Sequence, residues 1–102
     1  MKNLTLKHIA QVCNGTYYGP EGKKQEEVQS IITDSRKAES GCLFVPIVGE
    51  RVDAHKFIPQ VMEAGALATL SERLLENADF PYILVESSLQ AVKNIAEFYL
   101  KQ

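Results

Sequence analysis

Apolar residues recur along this chain in two rhythms, helical spacings of three and four and short unbroken runs, and together they lay out alternating helices and strands. Near the start, Leu6, Ile9, Ala10 and Cys13 fall on one helical face. Thr5 stands where an amino-terminal cap belongs, and Asn14-Gly15 supplies a left-handed stop. Residues 16–18 and 28–33 favour strands, the second ending where Asp34-Ser35-Arg36 takes over. Residues 43–48 are continuously apolar, as in a strand covered on both faces. Pro46 lies within that run, removes a ladder donor, and points to an edge position or an early end to pairing.

A second helix is predicted from Asp53 or Ala54 to Ala64, burying Phe57, Ile58, Val61 and Met62 and stopped by Gly65. Residues 66–70 read as the next strand and residues 82–85, after Pro81, as another. Ser87 with Gln90 forms a capping box for a last helix, whose stripe is Leu89, Val92, Ile95, Ala96, Tyr99 and Leu100 and which runs to Lys101-Gln102. This succession predicts an α/β domain with helices packed on a mainly parallel sheet. The stripes, with Phe57, Met62 and Tyr99, are expected to be core. Tyr17 and Tyr18 fit either a strand with one ring inward or the wall of a ligand cleft. Residues 19–27, GPEGKKQEE, form a surface loop, and no repeat or low-complexity tract is present.

Composition narrows the classes. A chain of 102 residues, 45% apolar and 24% charged, makes one ordinary globular domain. A formal charge of −2 leaves no basic stripe to neutralise a nucleic-acid backbone, so a nucleic-acid partner is not expected. The apolar runs are far shorter than the roughly eighteen residues of a membrane span, and the start has no small-residue cleavage site. The expected location is cytoplasmic, with no membrane partner. Cys13 and Cys42 lack CxxC spacing and read as small packing residues in a reducing compartment.

Candidate chemistry gathers in residues 33–57, where TDSR and GERVDAH flank the apolar run. Thr33, Asp34, Ser35 and Arg36 follow a predicted strand end, the place where open α/β sheets bind ligands. In one reading the Ser35 hydroxyl and nearby N–H groups donate to ligand oxygens and Arg36 supplies charge. In the other, Asp34 and Ser35 are turn formers bonding their own backbone, with Arg36 solvated. Gly49 lets a ligand approach the backbone, Glu50 can accept from a hydroxyl or imide, and Arg51 can pair with phosphate. The alternative is a charged turn facing water. His55 can donate to a ribose or phosphate oxygen, whereas Asp53 is read as a helix cap. With His8 the only other histidine, no metal site is expected.

At these residues the chain resembles a known family. The helix LTLKHIAQVCNG, the TDSR turn, the G-x-LFV strand, the GER-x-D-x-H-x-F loop, the AGA-x-A turn and the strand YILVE, in that order, are similar to the amino-terminal domain of the Mur ligases. The loop at residues 49–57 looks most like the branch that joins D-alanyl-D-alanine to a UDP-linked muramyl tripeptide. One position departs: an acidic residue commonly follows the histidine in this family, and here it is Lys56. The resemblance implies a three-layer α/β/α domain, its sheet mainly parallel and possibly mixed. It implies that residues 1–102 form one domain holding the UDP end of a peptidoglycan precursor, the amino-terminal piece of a three-domain ligase. On that reading the ATP-binding and carboxy-terminal domains are the partners, the chain continues past Gln102, and ATP and magnesium belong to the complete enzyme. This segment holds no GKT or GKS loop, so by itself it is expected to need no cofactor and to catalyse nothing. Three alternatives remain: the sister ligase that adds the third peptide residue, a nucleotide-binding domain of another enzyme, and a non-enzymatic interaction module of the same fold.

Overall fold

A computed structural model describes residues 4–100. Helix α1 spans Leu6–Val12, and strand β1, Thr16–Tyr18, follows it directly. Then come β2 (Ser30–Ile32), β3 (Cys42–Phe44), α2 (Ile58–Glu63), β4 (Ala68–Ser71), β5 (Tyr82–Leu84) and α3 (Ser88–Leu100). The sheet has the order β1-β5-β4-β3-β2, with β2 to β5 mutually parallel and β1 antiparallel to β5. It is therefore mixed but mainly parallel.

Two cores make the layers. On one face Leu6, Ile9 and Ala10 of α1 and Ala91 and Ile95 of α3 meet Leu43, Leu70 and Ile83 of the strands. On the other, Ile58 and Val61 of α2 meet Cys42 and Phe44, with Leu75 and Phe80 of the β4–β5 connection packed alongside. Successive strand residues point to opposite faces, so β3, buried at every position, feeds both cores.

Several boundaries differ from the sequence expectation for identifiable reasons. The apolar run at residues 43–48 ends its pairing early, as Pro46 suggested, with the Val45 amide giving the last bond to the Ile32 carbonyl at 2.8 Å. Yet β3 is not an edge strand: it lies between β4 and β2. The second helix opens as a tight turn over Ala54–Phe57 and becomes α-helical only at Ile58. Pro59 has no N–H to offer the His55 carbonyl, which takes the Ile58 amide one residue earlier instead. Ser87 caps α3, its hydroxyl accepting from the Gln90 amide at 3.1 Å, but the Gln90 side chain turns to Asn94 and leaves the capping box half made.

Helix α3 also turns a partly different face inward, keeping Val92 and Ile95 of the expected stripe against the core. Ser88, Ala91 and Ile95 are buried, while Leu89, Tyr99 and Leu100 of the expected stripe are exposed. Small Ser88 and Ala91 allow close approach, and the Cys13 thiol reaches the Ala91 carbonyl at 3.7 Å. The expected end of this helix at Lys101-Gln102 lies outside the described residues. No helix among the described residues is long and apolar enough to cross a membrane.

Candidate functional site

Because β2 to β5 run parallel, Thr33, Val45, Glu72 and Val85 leave the sheet along one edge, and the loops that follow them build the site. After β2 the chain tightens over Ser35–Lys37, with Asp34 as its cap. The Asp34 carboxylate accepts the Arg36 amide at 2.9 Å and both ends of the Arg36 guanidinium, at 3.0 and 2.8 Å. These bonds, the guanidinium first, hold the Asp34 carboxyl down at about 2. Arg36 is thus neutralised locally rather than offered to solvent as a lone charge. The Thr33 and Ser35 hydroxyls have no protein partner among the described residues.

That turn faces the start of the helical segment after β3. Thr33, Asp34, Ser35 and Arg36 line a cavity of about 450 Å³ together with Ala54, Phe57 and Gln60. The last three recur every third residue, the spacing that puts them on one face of a tight turn. Phe57, expected in the core, is half-buried and forms a wall of this cavity. Gln60 was not among the expected site residues; its spacing from Phe57 was the available signal. A larger hollow of about 530 Å³ opens near the amino ends of β4 and β5 beside Pro20, Pro59, Phe80 and Pro81. It lies away from the strand ends where ligands of such sheets bind.

The GER loop is a small hairpin. Val48 pairs with Asp53, the Gly49 amide donates to the Val52 carbonyl at 2.9 Å, and Glu50 and Arg51 occupy the exposed tip. Glycine at 49 serves the hairpin itself, since a Cβ there would stand 3.2 Å from the Val52 carbonyl oxygen. Glu50 and Arg51 share the edge with the 33–36 turn but do not line its cavity.

His55 departs most from expectation. It is buried, its Nδ1 lies 2.7 Å from Asp53 Oδ1, and its Nε2 accepts the Glu72 amide at 2.9 Å. Both ring nitrogens are engaged, so the imidazole has no N–H left for a ribose or phosphate. Asp53 caps the Ala54–Phe57 turn by accepting the His55 amide, as a structural residue should, and also pairs with Arg73 at 2.5 Å. Its carboxyl is held well below the usual carboxylate range, first by that amide and then by Arg73 and the imidazole. Glu72 and Arg73 carried no sequence signal, because their partners stand 16 to 20 residues away. Lys56 lies over the Phe57 ring, 5.2 Å from its centre. Tyr17 and Tyr18 are remote from the cavity on the far edge strand: the Tyr17 hydroxyl donates to the Pro20 carbonyl, and Tyr18 stacks on Tyr82.

No model of a protein family matches the chain. Over its whole length it is 38% identical to a UDP-N-acetylmuramoyl-tripeptide–D-alanyl-D-alanine ligase of Bacillus subtilis, of which it spans 22%. In three dimensions it superposes on MurF from Acinetobacter baumannii with a TM-score of 0.80 and 33% identity, over 90% of this chain and 20% of that one. The chain belongs to the Mur ligase family. Its match lies in the amino-terminal part of these relatives, about a fifth of their length. A second Mur ligase, the UDP-N-acetylmuramoyl-L-alanyl-D-glutamate–2,6-diaminopimelate ligase of Listeria monocytogenes, is 37% identical over 78% of the chain and 16% of its own length. The mixed sheet with helices on both faces is thus the amino-terminal Mur ligase arrangement.

Proposed function

We propose that this chain holds the uridine-diphosphate end of a UDP-linked muramyl tripeptide, as the amino-terminal domain of the cytoplasmic ligase that adds D-alanyl-D-alanine in peptidoglycan precursor synthesis. The cavity at the carboxyl edge of the parallel strands carries this reading. Ala54 and Phe57 give it an apolar side for a base, and the unpartnered Thr33 and Ser35 hydroxyls give it polar groups for uracil or diphosphate oxygens. Glu50 and Arg51, free at the hairpin tip, serve a ribose hydroxyl and a phosphate. A charge-assisted hydrogen bond contributes about 1.5–3 kcal/mol, so two or three such bonds suffice to hold a small ligand.

The contribution to catalysis is positional, since anchoring a remote part of the substrate fixes the reacting end elsewhere. ATP and magnesium belong, on this reading, to the ATP-binding and carboxy-terminal domains that act as partners. The residues here do not fit them: the sequence has no GKT or GKS loop, and no three His, Cys, Asp or Glu among the described residues converge on one point. The sister ligase is the second reading. The full-length match to the D-alanyl-D-alanine ligase of Bacillus subtilis, against 72–94% coverage for the diaminopimelate ligases of Listeria, favours the first. Titration of this chain with UDP, followed by amide NMR, is expected to move Ser35, Arg36 and residues 50–55 with a Kd in the high micromolar to millimolar range, roughly −4 to −5.5 kcal/mol. No shift at these amides in millimolar UDP overturns the reading.

A further inference from the structure

The hairpin at residues 48–53 presents Glu50 and Arg51 from an exposed tip, and its own bonds are few: Gly49 to Val52, and the Ala54 amide to the Ile47 carbonyl. Its base is tied to the end of β4 by the Arg73 guanidinium, at the surface, and by one buried imidazole. His55 is buried, with its side chain 4% exposed between Asp53 at the foot of the hairpin and the backbone of Glu72 at the end of β4. A backbone amide can only donate, so Nε2 must be the bare nitrogen and Nδ1 the protonated one, which donates to Asp53. The tautomer is set by the fold. Glu72 carries the tie onward, its carboxylate accepting the Ser88 amide at the head of α3 at 2.7 Å, and Arg73 holds the second oxygen of Asp53. The charged groups around the ring are therefore Asp53 on its own segment and Glu72 and Arg73 from the end of β4, while α3 contributes only a backbone amide.

The geometry points to His55 as a positioning residue that sets Glu50 and Arg51 for the ligand without touching it, by joining the hairpin to the ends of β4 and α3. This inference rests on the proposed UDP site. Asparagine at 55 keeps an amide near the Nδ1 position but does not reach the Glu72 amide. Glutamine supplies an oxygen near the Nε2 position and gives up the donation to Asp53.

The test is a mutant cycle on the 102-residue chain, with UDP affinity read by amide NMR. His55→Asn is expected to weaken UDP about tenfold, the loss that follows when one well-placed hydrogen bond no longer orders its partners. In a Glu50→Gln/Arg51→Gln background the same change is expected to cost almost nothing, because the groups it positions are gone. Equal losses in both backgrounds overturn the positioning role and leave packing. Should His55→Asn fail to fold, His55→Gln runs the same cycle. The imidazole nitrogen resonances of the unmutated chain give an independent reading: protonated Nδ1 with bare Nε2 is expected, and the opposite tautomer refutes the tie. A chain that binds UDP yet shows additive losses rejects this inference alone, whereas a chain that shows no UDP shifts removes the site reading together with it.

Discussion

Asp34 and Asp53 show how single carboxylates shape this edge of the sheet. Each accepts a backbone amide two residues on and an arginine, and each is thereby held in its charged form. Their folded pKa values lie below the unfolded value of about 3.9, Asp34 at about 2 and Asp53 also lowered. A depressed carboxyl stabilises the fold above its unfolded pKa, and that contribution drains away as pH falls through the folded one. The melting temperature is therefore expected to lose their contribution from about pH 4 downward, and Asp34→Asn or Asp53→Asn to flatten the acid limb; circular dichroism melts between about pH 2.5 and 6 read this directly. Both groups are partly open to solvent, so added salt shrinks the effect. Burial has the opposite consequence for sulfur. It pushes the Cys13 thiol up to about 12, and Cys42 is wholly buried. Neither cysteine is expected to react with a thiol reagent at neutral pH until denaturant is added, and labelling of the native chain would contradict the packing described for them.

At the scale of elements, the turn between α1 and β1 is a short junction packed closely against β5. Asn14 takes the left-handed conformation at φ 56°, freeing Gly15 for a different task. A Cβ on Gly15 would lie 2.7 Å from the Leu84 carbonyl oxygen and 2.8 Å from an Ile83 methyl, so β5 passes directly against the bare backbone. Gly15→Ala must push the strand away and is expected to cost about 2 kcal/mol in urea unfolding. Thr5→Ala, which removes the cap accepting the His8 amide at 3.1 Å, is expected to cost about 1 kcal/mol. The Thr5 cap and the Asn14 stop were legible in the sequence, because both act within a few residues of the chain, whereas the approach of β5 to Gly15 was not. The early end of β3 was legible too, through the missing donor of Pro46. The inward face of α3 was legible only in part, through Val92 and Ile95. Leu89, Tyr99 and Leu100 are larger than Ser88 and Ala91, but the helix turns its small residues inward where it approaches α1 and the sheet, a choice made by packing rather than by periodicity. The tight turn that opens the second helix follows from Pro59, which removes one α-helical bond.

At the scale of the whole molecule, parallel strands deliver their following loops to one edge, which is why the 33–36 turn and the 49–55 segment share it. The sequence order alone made that arrangement legible. It did not distinguish a free His55 from one held between Asp53 and Glu72, because the second partner stands 17 residues away and donates through its backbone, which no side-chain pattern reports. A site assembled from loops of a folded scaffold responds to its ligand as a unit. A ligand that binds only the folded chain stabilises it by mass action, so at about ten times a Kd near 1 mM the gain is about 1.4 kcal/mol. In a domain of this size that raises the melting temperature by roughly 5–10 °C. UDP is expected to produce such a rise, whereas uridine and inorganic pyrophosphate, each offering part of the ligand, give smaller ones. Ser35→Ala and Arg51→Gln are expected to cut the UDP-induced rise while leaving the unliganded melting temperature within about 1–2 °C, since an exposed or half-buried side chain without protein partners contributes little to the fold. Equal rises with pyrophosphate and UDP would mean that the edge holds anions without reading the base, and the Ala54 and Phe57 wall would then have no part in recognition.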